Sequence, residues 1–268
     1  RFSRQGRARG SPAWVRLTDE AFPRLSIVRA PRGDPRDLLG PLRDHRTARR
    51  VVDAVHTAVP IRRCDGGPGR RSAPCAAAQM GRALCPCAGD LDEELYRGVV
   101  DTVREAWAGR PDLLLTPLIA RIDALAGNER FEEAAEVRDR AAALSSALAR
   151  RRRMADLVAS GTTELRLPDG AGAVLEGGIL VAAWGRDGQS RSLGHVDGAP
   201  PPTDDADPRG AEAERWCIAT WMRRSLPTAR IVASSGGLAS QWPALPELVA
   251  GRGGPRPRGR MVGAAGRR

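Results

Sequence analysis

Four of the five cysteines, Cys64, Cys75, Cys85 and Cys87, fall within 24 residues and follow the spacing C-x10-C-x9-C-x-C. In an intracellular chain thiols stay reduced, so clustered cysteines favour a metal over disulfides. Four thiolates can close a tetrahedral shell around zinc or hold the irons of an iron–sulfur cluster. The spacing is not that of a standard zinc finger, and Cys85-Pro86-Cys87 is tight for one ion. The alternative is four unligated thiols. Cys217 stands alone on a predicted helix, where a thiol serves as a small packing group. His45, His56 and His195 have no carboxylate or nucleophile at an informative spacing, and read as solvated or capping residues. Gly66-Gly67-Pro68-Gly69 has no following helix or lysine and is not a phosphate loop. Arg150 to Arg153 are expected to close a helix as a solvated end that complements its dipole.

The elements that must carry these residues can be read from periodicity and punctuation. Trp14, Val15 and Leu17 pair with Leu25, Ile27 and Val28 as a hairpin, followed by a Pro/Gly loop ending Leu39-Gly40-Pro41-Leu42. Ala48, Val51, Val52, Val55 and Val59 predict a helix over 46–59, stopped by Pro60. Residues 60–89 have no periodicity. Asp90 with Glu93 reads as a capping box, opening a helix whose apolar face is Leu91, Leu95, Val99, Val103 and Trp107. A helical hairpin is expected over 113–149, turning at Gly127-Asn128, with Leu118, Ile122, Leu125, Phe131, Ala134, Val137 and Leu144 as its stripe. Short strands follow at 164–167, 173–175, 178–184 and 192–196. A Pro/Asp linker (198–210), a helix over 211–224 with Ala213, Trp216, Cys217 and Trp221 on one side, and a strand at 228–233 complete the pattern. Residues 251–268, rich in Gly, Pro and Arg, read as a disordered basic tail.

The 268 residues carry 43 basic and 32 acidic side chains, and every basic one is arginine. Residues 1–89 hold 18 Arg against 7 acids, while residues 90–149 hold 7 Arg against 13 acids. A basic third beside an acidic helical segment points to a polyanion partner for the first and a protein partner for the second. No apolar run approaches the roughly 20 residues of a membrane helix, and Arg1 to Gly10 has no apolar core of a signal peptide.

The order of segments resembles the UvrC family. The residues that carry the resemblance are Phe22-Pro23-Arg24-Leu25, Gly40-Pro41, Ile61-Arg62-Arg63-Cys64, Pro74-Cys75, Gln79, Cys85-Pro86-Cys87 and Tyr96. They look like the end of a GIY-YIG nuclease domain and its cysteine-rich linker. Glu129-Arg130-Phe131-Glu132-Glu133-Ala134-Ala135, then Arg138-Asp139, resembles the UVR motif. The resemblance covers about residues 1–150 and is strongest to the short UvrC-like proteins that follow a DnaQ-like exonuclease in one polypeptide. Ala83 stands where the family's third cysteine is expected, with Cys85 two residues later.

That resemblance implies an α+β protein in five parts: the C-terminal part of a GIY-YIG domain (1–60), a cysteine-rich metal-binding linker (61–89), a helical region (90–160) with the UVR hairpin, a small α+β domain (161–250) and the tail. It implies incision of damaged DNA in nucleotide excision repair, with magnesium or manganese at a nuclease site preceding Arg1, so no catalytic residue is assigned. A non-catalytic adaptor, or an accessory part of an exonuclease fusion, is the alternative. The cysteines would hold an iron–sulfur cluster or zinc. Arg43, Arg46, Arg49, Arg62, Arg63, Arg70 and Arg71 are expected to meet DNA. Phe131, Glu132, Ala135, Arg138 and Asp139 are expected to dock a UvrB-like protein. A cytoplasmic location and no membrane contact follow.

Overall fold

The computed structural model describes residues 12–30, 33–191, 208–225, 228–237, 245 and 248. The predicted strand 192–196, the basic tail and most of the Pro/Asp linker lie outside them.

Strands β1 (Ala13–Leu17) and β2 (Leu25–Val28) form the expected antiparallel hairpin. A third strand, β3 (Leu38–Leu42), pairs with the other edge of β1, giving the order β2-β1-β3. Gly40 and Pro41 punctuate this segment, so its sequence resembles a loop. Gly40 is there for a steric reason: a Cβ at this position would stand 2.4 Å from Trp14 Cδ1. The next helix, α1 (His45–Ala58), is capped by Asp44, which accepts from the Thr47 amide at 2.7 Å. It buries Ala48, Val51, Val52, Ala54 and Val55.

The cysteine-rich segment contains a single turn of helix, α2 (Ala76–Gln79), and a 3-10 turn, Pro86–Ala88. Helix α3 (Glu93–Ala108) starts two residues later than the capping box suggested: Asp92 is the cap, accepting from the amides of Glu94 and Leu95. Its inner face is Tyr96, Val100, Val103, Ala106 and Trp107, whereas Leu95 is exposed. The helical hairpin is α4 (Asp112–Gly127) and α5 (Phe131–Ala159). At 29 residues, α5 is about 43 Å long. It does not end at Arg150–Arg153, as expected, but runs through them.

Helices α1, α3, α4 and α5 share one core with the first sheet. Beyond α5, strands β4 (Thr162–Arg166), β5 (Gly172–Glu176), β6 (Ile179–Trp184), β7 (Ser190–Arg191) and β8 (Arg230–Ser234) build an antiparallel sheet, ordered β7-β6-β5-β4-β8. Helix α6 (Pro208–Ser225) packs on it. Leu157, Leu165, Leu175, Ala219 and Met222 form that second, smaller core. The face of α6 expected from the sequence is corrected: Ala213, Cys217 and Trp221 are exposed, while Ala211, Ala219 and Met222 are buried. Cys217 is thus not a packing residue. The class is α+β.

Candidate functional site

The cysteine segment has almost no apolar core of its own; its buried cluster is Cys75, Ala83, Cys85 and Cys87, with Cys64, Ala77 and Ala78 against it. Backbone bonds fold it into two facing halves. The Gly69 amide donates to the Pro86 carbonyl at 3.0 Å, and the Arg71 amide to the Cys87 carbonyl at 2.9 Å. The Leu84 amide reaches back to Pro60 at 2.7 Å. This brings the sulfurs of Cys64, Cys75 and Cys87 within 4.8 Å of one another. Tetrahedral zinc, with Zn–S bonds of about 2.3 Å, needs its sulfurs about 3.8 Å apart, so this set can hold a metal ion.

The fourth thiol, Cys85, is also buried. Of the four expected ligands it is the one outside the close group of three sulfurs among the described residues. The Cys75 amide donates to Cys87 Sγ at 3.3 Å. Burial pushes the thiols of Cys85, to about 11, and Cys87 up, while the Ala78 amide draws Cys75 down to about 7. Amides aimed at sulfur and thiols held out of water are the surroundings a thiophilic cation requires. The donor set therefore fits zinc or an iron–sulfur cluster.

One arginine builds this pocket rather than decorating it. Arg62 is 2% exposed. Its guanidinium donates to Glu20 at 2.9 Å and to the carbonyls of Phe22 at 2.8 Å, Cys64 at 3.0 Å and Gly66 at 2.8 Å. Burial alone would lower its pKa, but the bonds to Cys64 and Glu20 carry it above the ordinary arginine value. Its own amide donates to the Tyr96 hydroxyl at 3.0 Å, and that hydroxyl donates to the Pro23 carbonyl. Expected at a DNA surface, Arg62 instead bolts the cysteine segment to the first sheet. Tyr96 is buried, and burial pushes its phenol up to about 12, so the only tyrosine of the chain stays neutral.

The other arginines expected at DNA lie at the surface. Arg43, Arg46 and Arg49 are exposed on and just before α1, and Arg63, Arg70 and Arg71 are exposed on the cysteine segment. Arg43 is engaged by Asp44 at 3.0 Å. Arg49 and Arg63 both bear on His56, where burial lowers the imidazole pKa to about 4. His56 is half-buried, and its Nε2 is buried with no hydrogen-bond partner among the described residues, so this nitrogen caps nothing there.

On the hairpin, the stripe divides. Leu118, Leu125, Ala134, Val137 and Leu144 are core, whereas Phe131 is 65% exposed. Helical steps of three and four align Phe131, Ala135, Arg138 and Asp139 along α5, with Glu132 beside them. Phe131, Glu132 and Arg138 are exposed; Ala135 and Asp139 are half-buried. Arg130 pairs with Glu133 at 2.6 Å and Arg140 with Glu136 at 3.0 Å.

Arg150 and Arg151 are not a solvated end. Arg150 lies over the Trp216 ring, 3.3 Å from its centroid, and donates to the Pro41 carbonyl. Arg151 donates to the carbonyls of Pro35 and Leu38. Nothing in local sequence announces these contacts, because their partners lie more than sixty residues away in the chain. Among the described residues no helix is long and apolar enough to cross a membrane.

Comparison with known proteins places this arrangement. The profile of the UvrC/Cho excinuclease middle domain matches residues 13–106, from β1 into α3. The UvrABC system protein C of Thermus thermophilus is 39% identical over 132 residues, covering 49% of this chain and 22% of that protein. That of Escherichia fergusonii is 37% identical over 128 residues, covering 47% and 21%. A bifunctional exonuclease/endonuclease protein of Mycobacterium tuberculosis is 34% identical over 248 residues, covering 85% of this chain and 37% of its own. The chain thus spans well under half the length of each of these relatives. No solved structure matches. The cysteine segment, folded between the first sheet and α3, thus lies inside the stretch that matches the UvrC/Cho excinuclease middle domain.

Proposed function

We propose that this chain is the DNA- and partner-handling part of a UvrC-like repair endonuclease acting in nucleotide excision repair. Exposed arginines of residues 1–89 hold DNA without sequence preference, through phosphate charge. The tip of the α4–α5 hairpin docks a UvrB-like protein. The cysteine pocket carries one metal centre, an iron–sulfur cluster ahead of zinc, that keeps the intervening segment folded.

The observation that carries the reading is the exposure of Phe131. It is the one large apolar side chain of the hairpin's stripe left in solvent, at 65%, and mixed charge surrounds it. An aromatic anchor with a charged rim is what a specific protein contact uses. The test is a titration of the full chain with purified UvrB protein, beside anaerobic metal analysis and an absorption spectrum. Saturable binding with metal in stoichiometric amount is expected. A folded chain that ignores UvrB would end the docking reading, and a folded, metal-free chain would end the metal centre.

An accessory role in an exonuclease fusion is the second reading. It is favoured by the mycobacterial relative, whose match covers 85% of the chain where those to the UvrABC system proteins cover about half.

A further inference from the structure

A cleft of about 670 Å³ opens where the C-terminal end of α1, the cysteine segment and the α4–α5 hairpin meet. Sequence spacing could not have revealed it, because its walls come from three distant stretches. Arg63 and Arg82 line it from the cysteine segment, Arg121 from α4, Arg130 from the hairpin turn and Arg140 from α5. The acidic side chains in the lining are Glu133 and Glu136, and both are spent on Arg130 and Arg140 at 2.6 and 3.0 Å. Arg63 donates to the His56 carbonyl. Arg82 and Arg121 have no side-chain hydrogen bond among the described residues and are exposed. His56 adds no charge, since its ring is held neutral.

Five guanidinium groups against two carboxylates make a strongly positive concavity, in which Arg63 and Arg82 already repel one another. An anion would relieve that repulsion. The lining contains no Phe, Trp or Tyr, so it lacks the anchor a protein partner uses. The volume lies in the range of sites that take nucleotide-sized groups, roughly 300–1,000 Å³. Forked guanidinium donors suit phosphate oxygens. We propose that this cleft binds the phosphodiester backbone of a nucleic-acid strand, with Arg82 and Arg121 as its main contacts. The proposal rests on the DNA-binding reading and moves part of that contact from residues 1–89 onto the hairpin. The strand would then pass between the cysteine segment and the element whose tip carries Phe131.

The experiment uses the full chain, a fluorescein-labelled single-stranded oligonucleotide and a salt series read by anisotropy. The double variant Arg82→Ala/Arg121→Ala should weaken binding roughly ten-fold at low salt and flatten log K against log salt by about 1 to 2. A control, Arg97→Ala/Arg110→Ala, removes the same charge from α3 and the turn that follows it, and should change the slope little. Circular dichroism should show all three proteins equally helical. An unchanged slope in the cleft variant, while the parent binds DNA, would overturn the cleft and leave DNA binding standing. So would an equal loss in the control. A parent chain that does not bind the oligonucleotide would overturn both. Inorganic tripolyphosphate and polyglutamate are competed against the labelled strand: tighter binding of the first would replace the strand by a free polyphosphate, and of the second by an acidic peptide.

Discussion

Phe131 and Arg62 exchange the roles their types would suggest. The aromatic residue lies in solvent, and the charged one is buried with four acceptors. Phe131→Ala should therefore lower affinity for a UvrB-like partner by roughly 2 kcal/mol or more without loss of helix, read by titration and circular dichroism together; affinity and helicity falling in step would make Phe131 a core residue. Arg62→Ala should do the reverse. It strips donors from Glu20 and from the carbonyls of Phe22, Cys64 and Gly66, a loss of about 3 kcal/mol or more in unfolding free energy. A denaturant midpoint unchanged in that variant would show the bonds to be incidental. His56 gives a pH signature. Burial lowers its pKa from the ordinary 6.5 to about 4, so the fold prefers the neutral ring. That preference stabilises the protein above about pH 6.5 and is lost as pH falls through about 4. His56→Gln should flatten stability against pH over this window relative to the parent, by an amount on the order of 1–3 kcal/mol; parallel curves would mean the ring protonates freely in the fold. Of these residues, only Phe131 was legible beforehand. A lone aromatic amid charges marks an exposed position, but a buried arginine looks in sequence like its neighbour Arg63.

Elements with a clear period and a clear stop were legible, and those fixed by a distant neighbour were not. Hairpin β1–β2 and helix α1 fall almost where alternation, helical spacing and Pro60 put them. Helix α3 slipped because both Asp90 and Asp92 are competent caps, and only the backbone approach of Glu94 and Leu95 selects the second. Helix α5 was cut short because four consecutive arginines resemble a helix end until Trp216 and the carbonyls of Pro35, Leu38 and Pro41 accept two of them. Strand β3 was missed outright, since Gly-Pro in its middle contradicts strand propensity. The register across β1 explains it. Trp14 occupies the space over Gly40, so no side chain fits there. Gly40→Ala should cost about 1–3 kcal/mol of stability as the indole is forced aside, visible as a lower unfolding midpoint by calorimetry. An unaltered midpoint would mean Trp14 moves without penalty. The cysteine segment shows the same division: its four cysteines cluster in sequence, whereas the burial of Arg62 and Tyr96 and the amides aimed at sulfur have no local signal.

At the scale of the whole molecule, α5 is the spine. Its first two-thirds bury Ala134, Val137, Ala141, Leu144 and Leu148 in the larger core, and Leu157 near its end belongs to the core of the second sheet. One continuous helix thus serves both cores. Direct contacts reinforce this joint. Trp14 donates from its indole to Glu212 on α6 at 3.3 Å. Arg150 is clamped between the Pro41 carbonyl and the Trp216 ring, with Arg153 5.8 Å from the same ring. Burial draws Arg150 down to about 10, so it stays charged at neutral pH and the ring faces a cation. A desolvated cation–π contact of this kind contributes about 2 kcal/mol. Trp216 is only half-buried and lies outside the small core, so its removal should loosen the joint without melting either sheet. Trp216→Ala is therefore expected to speed hydrogen exchange in α6 and in the last turns of α5 while leaving α1 and β1 protected as before. The larger core should keep its denaturant midpoint, and the smaller should unfold separately and earlier. A single transition at the parent's midpoint, with exchange unchanged in α6, would show that the continuous helix alone couples the two halves.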